Sequence, residues 1–109
     1  MVKLFKVVFS PKSRQRLKDI SDYYQTTASD SVAKKVRKGI VEEAIKLEKL
    51  PDSKPILPNT EDFDPPVRYT KKWSFKIIFS IFKKKDEVLI ETIRHDKELP
   101  ESVRKDIER

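Results

Sequence analysis

The chain has 109 residues, enough for one domain and too few for two. Charged residues make up 39% and apolar residues 37%, and the apolar ones come in periodic blocks, so the composition predicts a folded core rather than disorder. The absence of cysteine excludes disulfides, thiol catalysis and cysteine-based zinc sites, a single histidine excludes a His-rich metal site, and a net charge of +7 points to an anionic partner.

No apolar stretch approaches the roughly 20 residues that a transmembrane helix needs. The opening MVKLFKVVFSPK is too polar and interrupted for a signal peptide. The expectation is a cytoplasmic protein away from membranes, with no metal and no cofactor, forming one domain over residues 1–109.

Residues 2–9, rich in β-branched and aromatic side chains, predict a strand. Ser10-Pro11 then reads as a helix start, with Ser as the cap and Pro at the first helical position. Over 11–27, Leu17, Ile20 and Tyr24 recur on one helical face. A second helix over 30–50, capped by Ser29 or Asp30, carries Val32, Val36, Ile40, Ala44 and Leu47 on its apolar stripe. Gly39, the only glycine, lies inside this helix, where close packing explains it best. The two helices predict an antiparallel hairpin.

Five prolines between 51 and 66 predict an extended surface loop, with Glu61, Asp62 and Asp64 as solvated charges. Strands over 67–72, 73–83 and 87–95 follow, and Pro100-Glu101 opens a short helix with Val103 and Ile107 one turn apart. The fold class predicted is α+β in the order β-α-α-β-β-β-α. Its antiparallel meander sheet has an N-terminal strand, a helical hairpin on one face and a short C-terminal helix.

Trp73, Phe75, Ile77, Phe79 and Ile81 alternate along the third of these strands, so they share the face that meets the hairpin. Lys76, Ser74, Ile78 and Ser80 then occupy the other face, since an unpaired ammonium in the core is too costly. A two-residue turn at Lys85-Asp86 would set Lys76 opposite His95, Phe79 opposite Thr92 and Phe82 opposite Leu89. That register sends Val88 and Ile90 to the core and Glu91 to the open face; a one-residue slip would turn His95 inward.

From 66 to 85 there are seven cations and no acid: Arg68, Lys71, Lys72, Lys76, Lys83, Lys84 and Lys85. With Tyr69 and Trp73 interleaved, and Arg94, His95 and Lys97 nearby, this face suits a phosphate backbone and exposed bases. A solvated strand edge is the plainer reading. Ile78, Phe82, Leu89 and Ile93 would form an apolar patch on the same face. They need cover from the C-terminal helix or from another chain.

The blocks VVFSPKSRQRLKDISDYY, LEKLP, SFKIIFSI and VLIETIRHDKELPES, in this order, resemble the RelE/ParE superfamily of bacterial toxins. The resemblance spans about 4 to 103 and implies the toxin half of a type II toxin–antitoxin module. RelE-like members cut messenger RNA on the ribosome, whereas ParE-like members bind and poison DNA gyrase. The superfamily's strand pattern of tyrosine, arginine, two apolar residues and tyrosine appears here as Phe75-Lys76-Ile77-Ile78-Phe79. Both hydroxyls and the bidentate guanidinium are absent.

RNA cleavage needs a base for the 2′-hydroxyl, cations for the transition-state charge and an acid for the leaving oxygen. The resemblance implies His95 as base or acid, with Lys76 and Arg94 at the phosphate. Arg68, Lys71, Lys72 and Lys97 would attract RNA, and Ile78, Phe82, Leu89 and Ile93 would meet a partner. The reading leans to ribosome-dependent mRNA cleavage. A gyrase inhibitor without a catalytic group is the alternative, and an inactive relative that only pairs with an antitoxin is the third. All three imply an antitoxin partner with an acidic or charged helical tail.

Overall fold

A computed structural model describes residues 3–107. Its elements are β1 (Lys6–Phe9), α1 (Pro11–Thr27), α2 (Asp30–Ile45), β2 (Val67–Lys72), β3 (Phe75–Phe82), β4 (Glu87–His95) and α3 (Pro100–Asp106). The element order is the one expected. Val2, placed in the first strand from sequence, lies outside the described residues, and the strand proper begins at Lys6.

Both long helices start where their caps predict. Ser10 Oγ accepts the Ser13 N–H at 3.0 Å, with Pro11 at the first helical position. Ser29 Oγ accepts the Val32 N–H at 3.2 Å. The second helix ends earlier than expected, at Ile45, and tightens into a 3-10 turn over Lys46–Glu48. Leu50 then turns left-handed at φ 48°, and Pro51 prevents any continuation.

The sheet is mixed, not a purely antiparallel meander. Strands β2, β3 and β4 form the expected meander, but β1 runs parallel to β4, pairing Lys6 with Glu87 through Phe9 with Ile90. The spatial order is β1-β4-β3-β2. Parallel neighbours need a long crossover, and here it runs through the helical hairpin and the proline-rich loop to β2 at the far edge, then back through β3 to β4.

The register also differs from the expected one. The turn between β3 and β4 has four residues, a 3-10 turn over Lys83–Lys85 followed by Asp86 at φ 51°, so Phe82 faces Glu87. Face parity up to Ile90 is as predicted, with Val88 and Ile90 in the core. An irregularity opposite Ile78 and Phe79 then leaves Glu91 as an extra residue in β4. Beyond this bulge every side chain changes face. Lys76 pairs with Arg94, and His95 pairs with Phe75.

Two apolar layers flank the sheet. The larger joins Leu17, Ile40, Ala44 and Leu47 of the helical side to Phe75, Ile77, Phe79, Ile81, Val88, Ile90 and Ile93. Each fully buried side chain of this size contributes about 1.5–3 kcal/mol relative to exposure. The smaller lies on the other face, where Val103 and Ile107 cover Ile78 and Val67 with Leu57 of the proline-rich loop. That loop is not simply solvated. Arg104 of α3 donates to both carboxylate oxygens of Asp62 at 2.8 Å and to the Asn59 carbonyl at 2.9 Å, holding the loop down.

Trp73 is not a core residue of β3. It occupies the first position of the two-residue turn between β2 and β3, at φ 53°, with about half of its surface exposed. Its indole lies against Gly39, where any Cβ would overlap it, with Cζ3 at 2.7 Å. Gly39 is thus the notch for a tryptophan from the sheet, which explains a glycine inside a helix.

Candidate functional site: the end of the central strands

The residues singled out from sequence come together at the Lys76–Arg94–His95 end of β3 and β4, but not as the expected register would place them. Lys76 lies on the α3 side with its ammonium 5.2 Å over the Tyr69 ring. His95 is turned toward the helical hairpin and meets the Phe75 ring edge-on, centroids 5.9 Å apart. Its Nδ1 accepts the Lys97 N–H at 3.2 Å, so the neutral ring carries its proton on Nε2. At the strand end both Lys76 and His95 still reach one small cavity of about 60 Å³, shared with Asp96 and Pro100.

Each nitrogen of Arg94 is engaged. Its Nε donates to Asp106 at 2.7 Å, one terminal nitrogen to Glu98 at 2.6 Å and the other to the Ser102 carbonyl at 3.3 Å. Asp106, almost wholly buried, also accepts Arg16 through two nitrogens at 3.0 and 3.1 Å and the Thr92 hydroxyl at 2.7 Å. Burial pushes the Asp106 carboxyl up. The hydrogen bonds from Arg16, Arg94 and Thr92 outweigh it and hold the group well below the usual carboxylate range. For Arg94, burial disfavours the charge, and the carboxylates of Asp106 and Glu98 more than restore it.

The remaining cations are scattered. Lys71 pairs with Asp96 at 3.0 Å, and this hydrogen bond is the main cause that lowers the Asp96 carboxyl. The other oxygen, Oδ1, is buried without a hydrogen-bond partner among the described residues, 3.4 Å from His95 Nδ1. Arg68 donates to the Lys54 carbonyl at 2.6 Å on the opposite sheet face. Lys72 sits 4.7 Å over the Trp73 ring, and Lys97 is exposed.

The apolar patch expected on one face is divided. Ile78 is fully buried beneath α3, and the bulge turns Ile93 into the core under the helices. Only Phe82 and Leu89 of the four keep partial exposure. The structure instead offers a groove of about 480 Å³ between α1 and the outer end of β4, lined by Arg16, Ile20, Tyr23, Tyr24, Phe75 and His95. It exists because β1 accompanies β4 only as far as Ile90, leaving the later edge without a strand neighbour. Sequence reasoning missed Arg16, Asp106 and the two tyrosines. For Asp106 a signal was present: it stands three residues after Val103, on the apolar face of α3.

With this geometry in hand, comparison with known proteins decides the kinship. A family model described as the ParE toxin of type II toxin–antitoxin system, parDE, matches residues 7–100. The chain belongs to the ParE toxin family. Among solved structures, a chain of the chromosomal ParDE TA system from P. aeruginosa is similar with a TM-score of 0.69, at 22% identity over 85% of this chain and 97% of that one. At that identity the likeness speaks for the fold alone. No curated protein matches the chain. As a ParE-family toxin it implies an antitoxin partner, and among the described residues no helix is long and apolar enough to cross a membrane.

Proposed function

We propose that this ParE-family toxin arrests growth by holding DNA gyrase, not by cutting messenger RNA, and that an antitoxin segment fills the groove between α1 and the open edge of β4. The observation that supports this reading is the commitment of Arg94. A guanidinium tied to Asp106, Glu98 and a backbone carbonyl is not free to stabilise phosphate charge. Lys76 offers a single ammonium, and His95 faces Phe75 across the pair that the bulge creates. A gyrase-binding toxin needs none of these groups for chemistry. The groove joins aromatic side chains to a strand edge, which suits an apolar segment; its lining also carries Asp19 and Glu98, so acidic neighbours of that segment would meet the surrounding +7 surface and not the groove itself.

Cleavage of mRNA stays as the second reading because Lys76 and His95 share a cavity. Induction in a bacterium separates the two. DNA breaks with intact transcripts, and undiminished toxicity of Lys76→Ala and His95→Ala, are the expected result. New 5′ ends inside translated codons that vanish in His95→Ala would overturn it. Normal growth would leave a relative that only pairs with its antitoxin.

A further inference from the structure

We propose that the Trp73 corner is a stacking site for an unpaired nucleobase of a nucleic-acid strand, with Lys35 and Lys72 receiving the adjoining phosphates. This goes beyond the gyrase reading and does not depend on it. Two locally unfavourable choices converge here. Trp73 holds a left-handed conformation at a turn position where glycine or asparagine is usual. The chain's only glycine sits inside α2, where it weakens the helix. Together they seat one indole in one notch. A core-filling role does not account for this, because Trp73 remains 51% exposed. What the arrangement achieves is an indole held in place and half open to solvent, a combination that marks strained functional positions.

The surroundings fit a base and its phosphates. A cleft of about 290 Å³ beside the indole is lined by Tyr24, Lys35, Val36, Ser74 and Phe75, near the small end of ligand-site volumes. Neither Lys35 nor Lys72 forms an ion pair with a carboxylate of the described residues. The Lys72 ammonium rests over the indole, and an arriving base would displace it toward the backbone phosphate. Aromatic platforms flanked by cations serve single strands, whose bases show their faces; a duplex hides them. An acidic protein surface would use the lysines but not the ring.

Trp73 is the only tryptophan, so its emission reads the site directly. Titrating the full chain with oligothymidylate should quench that emission to saturation, and added salt should weaken the binding. By anisotropy of a labelled oligonucleotide, Trp73→Ala should weaken binding about tenfold. Trp73→Phe should recover most of the loss, and Lys35→Glu with Lys72→Glu should weaken binding at least as much as Trp73→Ala. Oligonucleotide binding without quenching, or equal affinity in Trp73→Ala, would overturn the proposal. So would equal quenching by polyglutamate, which points to an acidic protein instead. If Trp73→Ala does not fold, the quenching titration of the unaltered chain still decides. None of these readouts reports on gyrase, so the two proposals fail separately.

Discussion

Arg94 Nε and Asp106 Oδ2 meet at 2.7 Å, joining the last strand to the last helix around a carboxylate that Arg16 grips from α1. One buried acid thereby ties three elements together. Removing it takes from Arg16 and Arg94 the buried carboxylate they share, leaving Arg94 with Glu98 and the Ser102 carbonyl alone. Asp106→Ala should destabilise the fold by about 3 kcal/mol, the cost of breaking a buried pair on one side. Urea unfolding measures this, and a loss no larger than that of an exposed salt bridge would contradict it.

The same carboxylate sets an acid limb. Its folded pKa lies below the unfolded value of about 3.9, so its contribution is present above that pH and lost as pH falls below it. Asp106→Asn should lower stability at neutral pH and flatten the fall on acidification. Asp62, held down to about 2 chiefly by its hydrogen bond with Arg104, acts in the same direction. Being open to solvent, it should lose its share first when salt is added. Urea midpoints against pH at low and high salt test both statements, and identical slopes for the parent and Asp106→Asn would refute the first.

Gly39 and Trp73 should show strong coupling in a double-mutant cycle. With Trp73 already replaced by Ala, Gly39→Ala should stabilise by about 1 kcal/mol through helix propensity. In the parent the new Cβ displaces the indole, so that gain should vanish and Trp73 emission should shift to the red. Additive effects would show that the notch does not constrain the ring.

The bulge at Glu91 admits a direct test. Deleting Glu91 gives β4 a regular ladder and leaves Ile90 opposite Phe79, Thr92 opposite Ile78 and Arg94 opposite Lys76, so Thr92 through His95 keep their faces. Ile93 would stay in the core. The deletion variant should therefore retain cooperative thermal unfolding, at the cost of the hydrogen bond from Ser80 to the Glu91 carboxylate. Loss of a cooperative transition in the deletion variant would mean that β4 does not close into a regular ladder when the extra residue is removed.

Much of the architecture was legible because local chemistry dictates it. Ser10-Pro11 and Ser29 announce their helices, and alternation at Phe75, Ile77, Phe79 and Ile81 fixes a buried face. The parallel placement of β1 was not legible, since four strand residues say nothing of their partner. Nor was the bulge. Glu91 looks like any outward acid, yet it is buried and accepts the Ser80 hydroxyl at 2.8 Å. That single extra residue separated His95 from the face of Lys76 and put Ile93 among the helices, which is why the site residues were harder to place than the fold. Trp73 misled in another way. Its alternation with Phe75 continued the strand pattern, while its backbone had already turned.

The parallel pairing of β1 with β4 has a temporal consequence. β1 leaves the ribosome well before β4, whose Glu87–Ile90 stretch is its only strand neighbour among the described residues. The Asp106 clamp on Arg16 likewise waits until α3 has been made. Contacts between residues so distant in sequence form late. The groove between α1 and the open edge of β4 therefore takes shape only after its two walls, far apart in the chain, have both been synthesised, so whatever reads that groove reads the finished fold and not the nascent segment.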